Sequence, residues 1–261
     1  VVLRDLHKEY RRQRQMCIRE STRDDGDLPA TAYSALRLRS DIRDRTTVGA
    51  IVTDVNNNDG QNSVFGLDGQ MRFWGNSSVS AWFSQVDDKR IDGASAASMI
   101  KIDLKNDRYF LTAGQHRVDK GFQPALGFVQ RTDMIGTGAI FGFTPRVGDG
   151  DELIRQWRFT GYVRDVKNYA GKKESGVLSL GIDAIFESRD RMGFNIRQTT
   201  ENLSNGFTLG NGVQIDADNY KDTKVQFLLM SNQRRWLWGD VKIENGGYFG
   251  GDRTHYGGSV G

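Results

Sequence analysis

The sequence has one cysteine, three prolines and three histidines, and no run of about 18 apolar residues. A single cysteine excludes a disulfide framework and a thiolate metal cluster built within the chain. With a mean hydropathy of −0.57, the missing apolar run excludes membrane-spanning helices. His116 and His255 are the only histidines after the first twenty residues, and no HxxxH or HExxH spacing occurs. No Walker loop is present either, so no catalytic residue, metal ligand or cofactor is assigned and an enzyme is not the expected reading. What is plentiful is glycine, 31 of 261 residues, well above the roughly 7% usual, which points to tight turns and close backbone approaches.

The formal charge of +3 suggests nucleic acid only until it is located. Arg4, Lys8, Arg11, Arg12, Arg14 and Arg19, against Asp5, Glu9 and Glu20, carry all of the excess; the rest of the chain is neutral. A basic arm on phosphates is one reading of that segment. The run Arg11-Arg12-Gln13-Arg14-Gln15-Met16-Cys17-Ile18-Arg19-Glu20 instead resembles translated sequencing-adapter read-through at the ends of metagenomic reading frames. Residues 1–31 are therefore expected to be non-native-looking or linker sequence, 32–261 to be the folded domain, and nucleic acid not to be a partner.

From Ala32 onward the sequence alternates apolar and polar residues, the period of a strand with one wet face. The clearest cases are Val64–Trp74, Ala97–Lys105, Ile154–Asp165, Gly176–Glu187 and Leu237–Ile243. Weaker ones are Ala32–Ile42, Thr46–Val55, Ser78–Asp87, Arg108–Arg117, Asp133–Thr144, Met192–Thr199, Thr223–Ser231 and Thr254–Val260. No window sustains a 3.6-residue period, so the fold is all-β, with about 12–13 strands.

These strands approach ten residues, against a usual five or six, and a tilted strand needs about 9–11 to cross a bilayer. Short connections are expected at Arg43–Arg45, Gly75–Ser77, Asn106, Ser188–Arg191 and Asn232–Arg234. Long ones are expected between them, at Asn56–Asn62, Asp88–Ala96, Val118–Thr132, Val166–Ser175, Thr200–Asp222 and Glu244–Arg253. Short turns at one end and long loops at the other describe an antiparallel up-and-down transmembrane β-barrel of the bacterial outer membrane, with lipid as its partner. Trp74, Trp82, Tyr109, Trp157, Trp236 and Trp238 suit its interfacial girdles. The competing architecture is a soluble β-sandwich or propeller. The barrel is expected to be incomplete, since the chain stops in Gly257-Gly258-Ser259-Val260-Gly261 without a terminal aromatic.

Three runs carry a family resemblance: Tyr33-Ser34-Ala35-Leu36-Arg37-Leu38-Arg39, Val48-Gly49-Ala50-Ile51-Val52-Thr53-Asp54, and above all Gly121-Phe122-Gln123-Pro124-Ala125-Leu126-Gly127-Phe128-Val129-Gln130-Arg131-Thr132-Asp133. In these the chain resembles DUF5916 proteins, bacterial chains with an N-terminal part like a family-9 carbohydrate-binding module and a C-terminal outer-membrane barrel. The resemblance implies the barrel and marks Pro124, Ala125, Leu126, Gly127, Phe128, Arg131 and Asp133 as a family-motif loop. The module is absent from this sequence, so its sugar binding does not transfer.

In a barrel the wet faces line the lumen. Arg37, Arg39, Asp68, Arg72, Lys101, Asp103, Arg158 and Arg164 are then the lumen-facing candidates. They could line a passage or binding scaffold for a polar solute such as a saccharide, or simply pair with one another. The alternative function is a soluble all-β carbohydrate-binding or carbohydrate-active protein. Asp54-Val55-Asn56-Asn57-Asn58-Asp59-Gly60 has calcium-loop letters, but its glycine falls one place late and Phe65 stands where a bidentate Glu belongs, so a hairpin is expected. Asp149, Asp151 and Glu152 read as a solvated turn.

Overall fold

The computed structural model describes residues 14–22, 29–93, 95–147, 153–210 and 212–261. Asp149, Asp151 and Glu152 lie outside them. Among the described residues there are sixteen strands and no helix. They are β1 (Arg14–Ser21), β2 (Ala32–Arg43), β3 (Thr46–Asn57), β4 (Gly60–Phe73), β5 (Ser77–Asp87), β6 (Ala96–Lys105), β7 (Tyr109–Val118) and β8 (Met134–Phe143). The remainder are β9 (Ile154–Lys167), β10 (Lys173–Phe186), β11 (Arg191–Asn202), β12 (Phe207–Thr208), β13 (Gln214–Ile215), β14 (Asn219–Met230), β15 (Gly239–Tyr248) and β16 (Gly251–Val260).

Fourteen strands join one antiparallel sheet in chain order; only the two-residue strands β12 and β13 pair apart, inside the β11–β14 connection. The thirteen strands read from the alternation are β2–β11 and β14–β16, each 10–14 residues long. The order is open: β1 and β16 stand at its two ends, and no pairing joins them among the described residues.

The fourteenth strand, β1, lies in the segment expected to be linker. It pairs with β2 along its length, from Arg14↔Arg39 to Ser21↔Ala32. Its side chains are out of phase with that neighbour. Met16 and Ile18 pair with Arg37 and Ala35, while Cys17 pairs with Leu36. Apolar residues thus fall on β2's polar side. Backbone pairing needs only a free edge and an extended partner; side-chain phase carries the sheet's specificity, and β1 lacks it.

Two connections are shorter than their composition suggests. Asn56–Asn62 is mostly strand, with Asn56↔Gln61 and Asn57↔Gly60 paired around a turn at Asn58 and Asp59. Glu244–Arg253 likewise closes on Phe249 and Gly250. Both turns use positive φ, 142° at Gly60 and 80° at Gly250, where a glycine carries no Cβ penalty. The remaining loops at that end of the strands are 88–95, 119–133, 168–172 and 203–218; the opposite end carries 44–45, 74–76, 106–108, 187–190 and the longer 144–153 and 231–238.

The described chain forms two compact units: residues up to Trp74 with Ser78–Ile100 and Arg117–Asp133, and Gly75–Ser77 with Lys101–His116 and Met134–Gly261. Within each, register sorts side chains by chemistry. In the first unit Leu36↔Val52↔Phe65 and Leu38↔Ala50↔Leu67 run across β2, β3 and β4 on one face, while Arg39↔Gly49↔Asp68 lies on the other. In the second, Phe159↔Ile182↔Phe194↔Phe227↔Ile243 crosses five strands, with Leu180↔Ile196↔Val225 beside it. Among the described residues nothing covers these apolar rows: Leu180 is 62% exposed, Leu67 49% and Phe65 47%.

Candidate functional site

All eight charged residues expected on the wet side share the polar face of their unit. Arg37 of β2 forms an ion pair with Asp68 of β4, reaching across β3 at Gly49. A Cβ on Gly49 would lie 2.6 Å from the Arg37 guanidinium and 2.7 Å from Asp68 Oδ1, so the missing side chain is what lets the pair close. Lys101 bridges Asp103 at 2.9 Å, and Thr112 Oγ1 donates to the same carboxylate at 2.6 Å. Arg39, Arg72, Arg158 and Arg164 make no side-chain ion pair among the described residues.

Other mid-strand glycines of this face do similar work: His116 lies over Gly136, and the Phe110 ring over Gly142. The two kinds of cover make a testable contrast. In Gly142→Ala the new methyl meets an aromatic ring, an overpacking that costs about 1–3 kcal/mol. In Gly49→Ala it displaces the tips of two flexible, partly exposed side chains, at about 1 kcal/mol or less. Urea unfolding of the two variants is expected to rank them in that order; equal losses would show that these contacts do not set the packing.

In the first unit the polar face is not bare at its long-loop end. The motif loop after β7 folds onto it. Phe122 is 8% exposed, and Val64, Val86, Ala97 and Val118, all of polar-face parity, are buried as well. Asn62 near the start of β4 clamps the loop: its Nδ2 donates to Gln123 O at 3.0 Å and its Oδ1 accepts from Ala125 N at 2.9 Å. The same Nδ2 donates to Asp88 at 3.0 Å. Asp88 accepts further from Arg90 Nη2 at 2.7 Å, Arg90 Nε at 2.9 Å and the Arg90 backbone N–H at 2.9 Å. These donors hold its carboxyl far below the usual carboxylate range, the Arg90 side chain contributing most and burial opposing. A fully satisfied, permanently ionised carboxylate suits a fastening, not a proton-transfer group.

Of the motif residues, Pro124 and Ala125 follow the clamped Gln123, whereas Phe128 is 90% exposed and Leu126 38%. Gly127 has φ 157° and Asp133, at the loop's exit into β8, has φ 53°. Arg131 is exposed. Asn62 itself went unread in the sequence because it sits in a polar run that looks like loop.

The polar face of the second unit holds an open-sided pocket of about 160 Å³. It is lined by Gly181 and Gly193 and by Thr160, Asn195, Arg197, Gln226 and Leu228; Thr160 and Asn195 close over Gly181, and the Asp183 carboxylate over Gly193. Asp183 and Arg191 close one end as a two-bond pair, 3.1 Å from Nε and 3.0 Å from Nη2. Buried Ser179 holds the Asn195 amide at 2.8 Å. No aromatic or cysteine reached the sequence expectation here, and the pocket's residues were not singled out, because glycines on adjacent strands meet only through register.

Aromatic placement follows the other face. Tyr109, Phe143, Phe159 and Trp157 form a stacked row across β7, β8 and β9, with ring centroids 4.8–6.4 Å apart, at the end of the strands where most turns are short. Trp74 and Trp236, 83% and 93% exposed, lie in connections at that same end, with Trp238 beside β15. Trp82 departs from the girdle expectation: it shares parity with Ser84, which approaches Gly66 on the polar face. Asp54 of the calcium-like run accepts from Gln61 and Ser63, both at 2.6 Å, in the β3–β4 hairpin. Gly257–Gly261 has the letters of a nucleophile elbow, but Ser259 lies within β16, bonded to Asp240, rather than on a sharp turn leaving a strand.

Compared with family models, curated proteins and solved structures, the chain gives no match.

Proposed function

We propose that this chain is wall-forming sequence of an outer-membrane β-barrel of DUF5916 type, with lipid against its apolar face and a passage or binding surface for polar solutes, saccharides among them, along its polar face. The observation that carries the reading is the register-matched apolar face left uncovered in both units while the Arg37–Asp68, Lys101–Asp103 and Arg191–Asp183 pairs lie on the opposite face. A sandwich or propeller buries such a face against a second sheet. A barrel in lipid leaves it outward, and the bilayer does the covering.

On β9 the apolar face runs from Trp157 to Val163, six steps or roughly 20 Å along the strand. At a tilt near 40° that is about 16 Å of height, inside the roughly 25 Å apolar band of such barrels. Its two borders also fit interfacial regions. One is the aromatic row at Trp157; the other is Asp165, bridged by Lys173 at 2.8 Å and Lys167 at 3.5 Å. The clamped motif loop is then a constriction element on the lumen side. Closing the wall requires partners for both sheet edges, because open edges are not tolerated in hydrocarbon.

The test is export of the chain in a Gram-negative host, followed by urea washing and detergent extraction of the outer membrane. Retention in the urea-washed membrane, with detergent required for release, is the expected result. A folded, monodisperse monomer in detergent-free buffer would overturn the reading in favour of a soluble all-β carbohydrate-handling protein. Conductance in planar bilayers then separates a passage from a sealed scaffold.

A further inference from the structure

We infer that the pocket over Gly181 and Gly193 is a subsite for an acidic sugar, one carboxylate on a hydroxyl-bearing ring. The inference deepens, and rests on, the reading of this face as a surface for polar solutes. Charge comes first. The pocket's ionised side chains are Asp183, Arg191 and Arg197, and the first two are spent on each other in a two-bond pair. Arg197 makes no ion pair or side-chain hydrogen bond among the described residues, and with Lys224 opposite it and Arg158 opposite Asp183 on the same face, positive charge is in excess here. A guanidinium offers its donors as a planar fork that matches a carboxylate in two-point contact. One surplus fork calls for one carboxylate.

The remaining walls are neutral. Thr160, Asn195 and Gln226 present a hydroxyl and two amides, groups that both donate and accept and so match sugar hydroxyls. Asn195 is preoriented by its bond to Ser179 at 2.8 Å. The glycine lets these walls sit close over the sheet: a Cβ on Gly181 would lie 2.7 Å from Thr160 Oγ1 and 3.1 Å from Asn195 Nδ2. The volume of about 160 Å³ equals that of roughly five waters at about 30 Å³ each, the scale of one sugar ring rather than an extended chain.

The experiment is calorimetric titration of the detergent-solubilised protein with trigalacturonate, maltotriose and inorganic phosphate, on wild type and on Arg197→Gln and Arg197→Lys. Saturable binding of trigalacturonate is expected, at least tenfold tighter than either other probe. Arg197→Gln is expected to weaken it at least tenfold and Arg197→Lys to weaken it less. Equal binding of phosphate would make this a plain anion site, equal binding of maltotriose a neutral-sugar site, and either overturns the assignment. So does an unchanged affinity in Arg197→Gln, or no binding by wild type. Membrane fractionation of the same preparations keeps the two readings apart. Arg197-dependent binding by a chain that needs no detergent would leave the subsite standing without the barrel. A membrane-embedded chain that binds nothing would do the reverse.

Discussion

Leu180→Arg is expected to cost about 2–4 kcal/mol of folding stability in lipid, the cost of Arg facing the bilayer midplane on a barrel wall. Leu180 is at the middle of β10, 62% exposed, in register with Gly161 on one side and Ile196 on the other. If water bathed this face the same change would fall within about 0.5 kcal/mol, as exposed substitutions usually do. The position therefore separates a lipid-facing from a water-facing sheet by several-fold in energy. Thr200→Arg is the internal control. Thr200 lies on the same face but pairs with Gly176, which pairs in turn with Asp165 at the charged border, where the cost is about 0–1 kcal/mol. Urea titrations of folding into lipid vesicles read both variants. Equal small losses at Leu180 and Thr200 would sink the membrane assignment.

The alternation that places Leu180 was legible because a period of two is a local property, and it is plainest in Leu178, Leu180, Ile182, Ala184 and Phe186. Thirteen strands followed from it. What stayed hidden was non-local or chemically ambiguous. Asn56, Asn57, Gln61 and Asn62 are polar enough to look like a loop, yet they are paired strand residues, since a polar side chain on a wet face leaves backbone pairing untouched. Arg14–Ser21 shows the converse. Its extended backbone pairs with β2, but its apolar residues fall on the wrong side, so nothing in its pattern could announce a wall strand. The eight charged candidates were legible as a face, because parity alone assigns them. The Arg37–Asp68 pair was not, because it spans two strand gaps and depends on a glycine between.

Asn62 gives the second large effect, because three groups depend on one amide. In Asn62→Leu, Asp88 loses one of its donors, Gln123 O loses its donor, and Ala125 N–H loses its acceptor. Asp88 keeps Arg90, so the loss falls on the two backbone groups of the motif loop, which belong to exposed residues and lose about 0.5–1.5 kcal/mol each. Peeling from the polar face returns both to water at the cost of uncovering Phe122 and Val118. The expected result is release of residues 119–133 with the strands intact: fast hydrogen exchange at the Ala125 amide and new protease cleavage near Phe128, with strand signals in circular dichroism unchanged. Under the barrel reading the same variant conducts more than wild type in planar bilayers, since the constriction has left the lumen. Asn62→Asp is harsher at neutral pH, because it sets a second carboxylate beside the permanently ionised Asp88 and supplies no donor to Gln123. An Ala125 amide that stays protected in Asn62→Leu would show that the buried Phe122 alone holds the loop, and that the asparagine is a bystander.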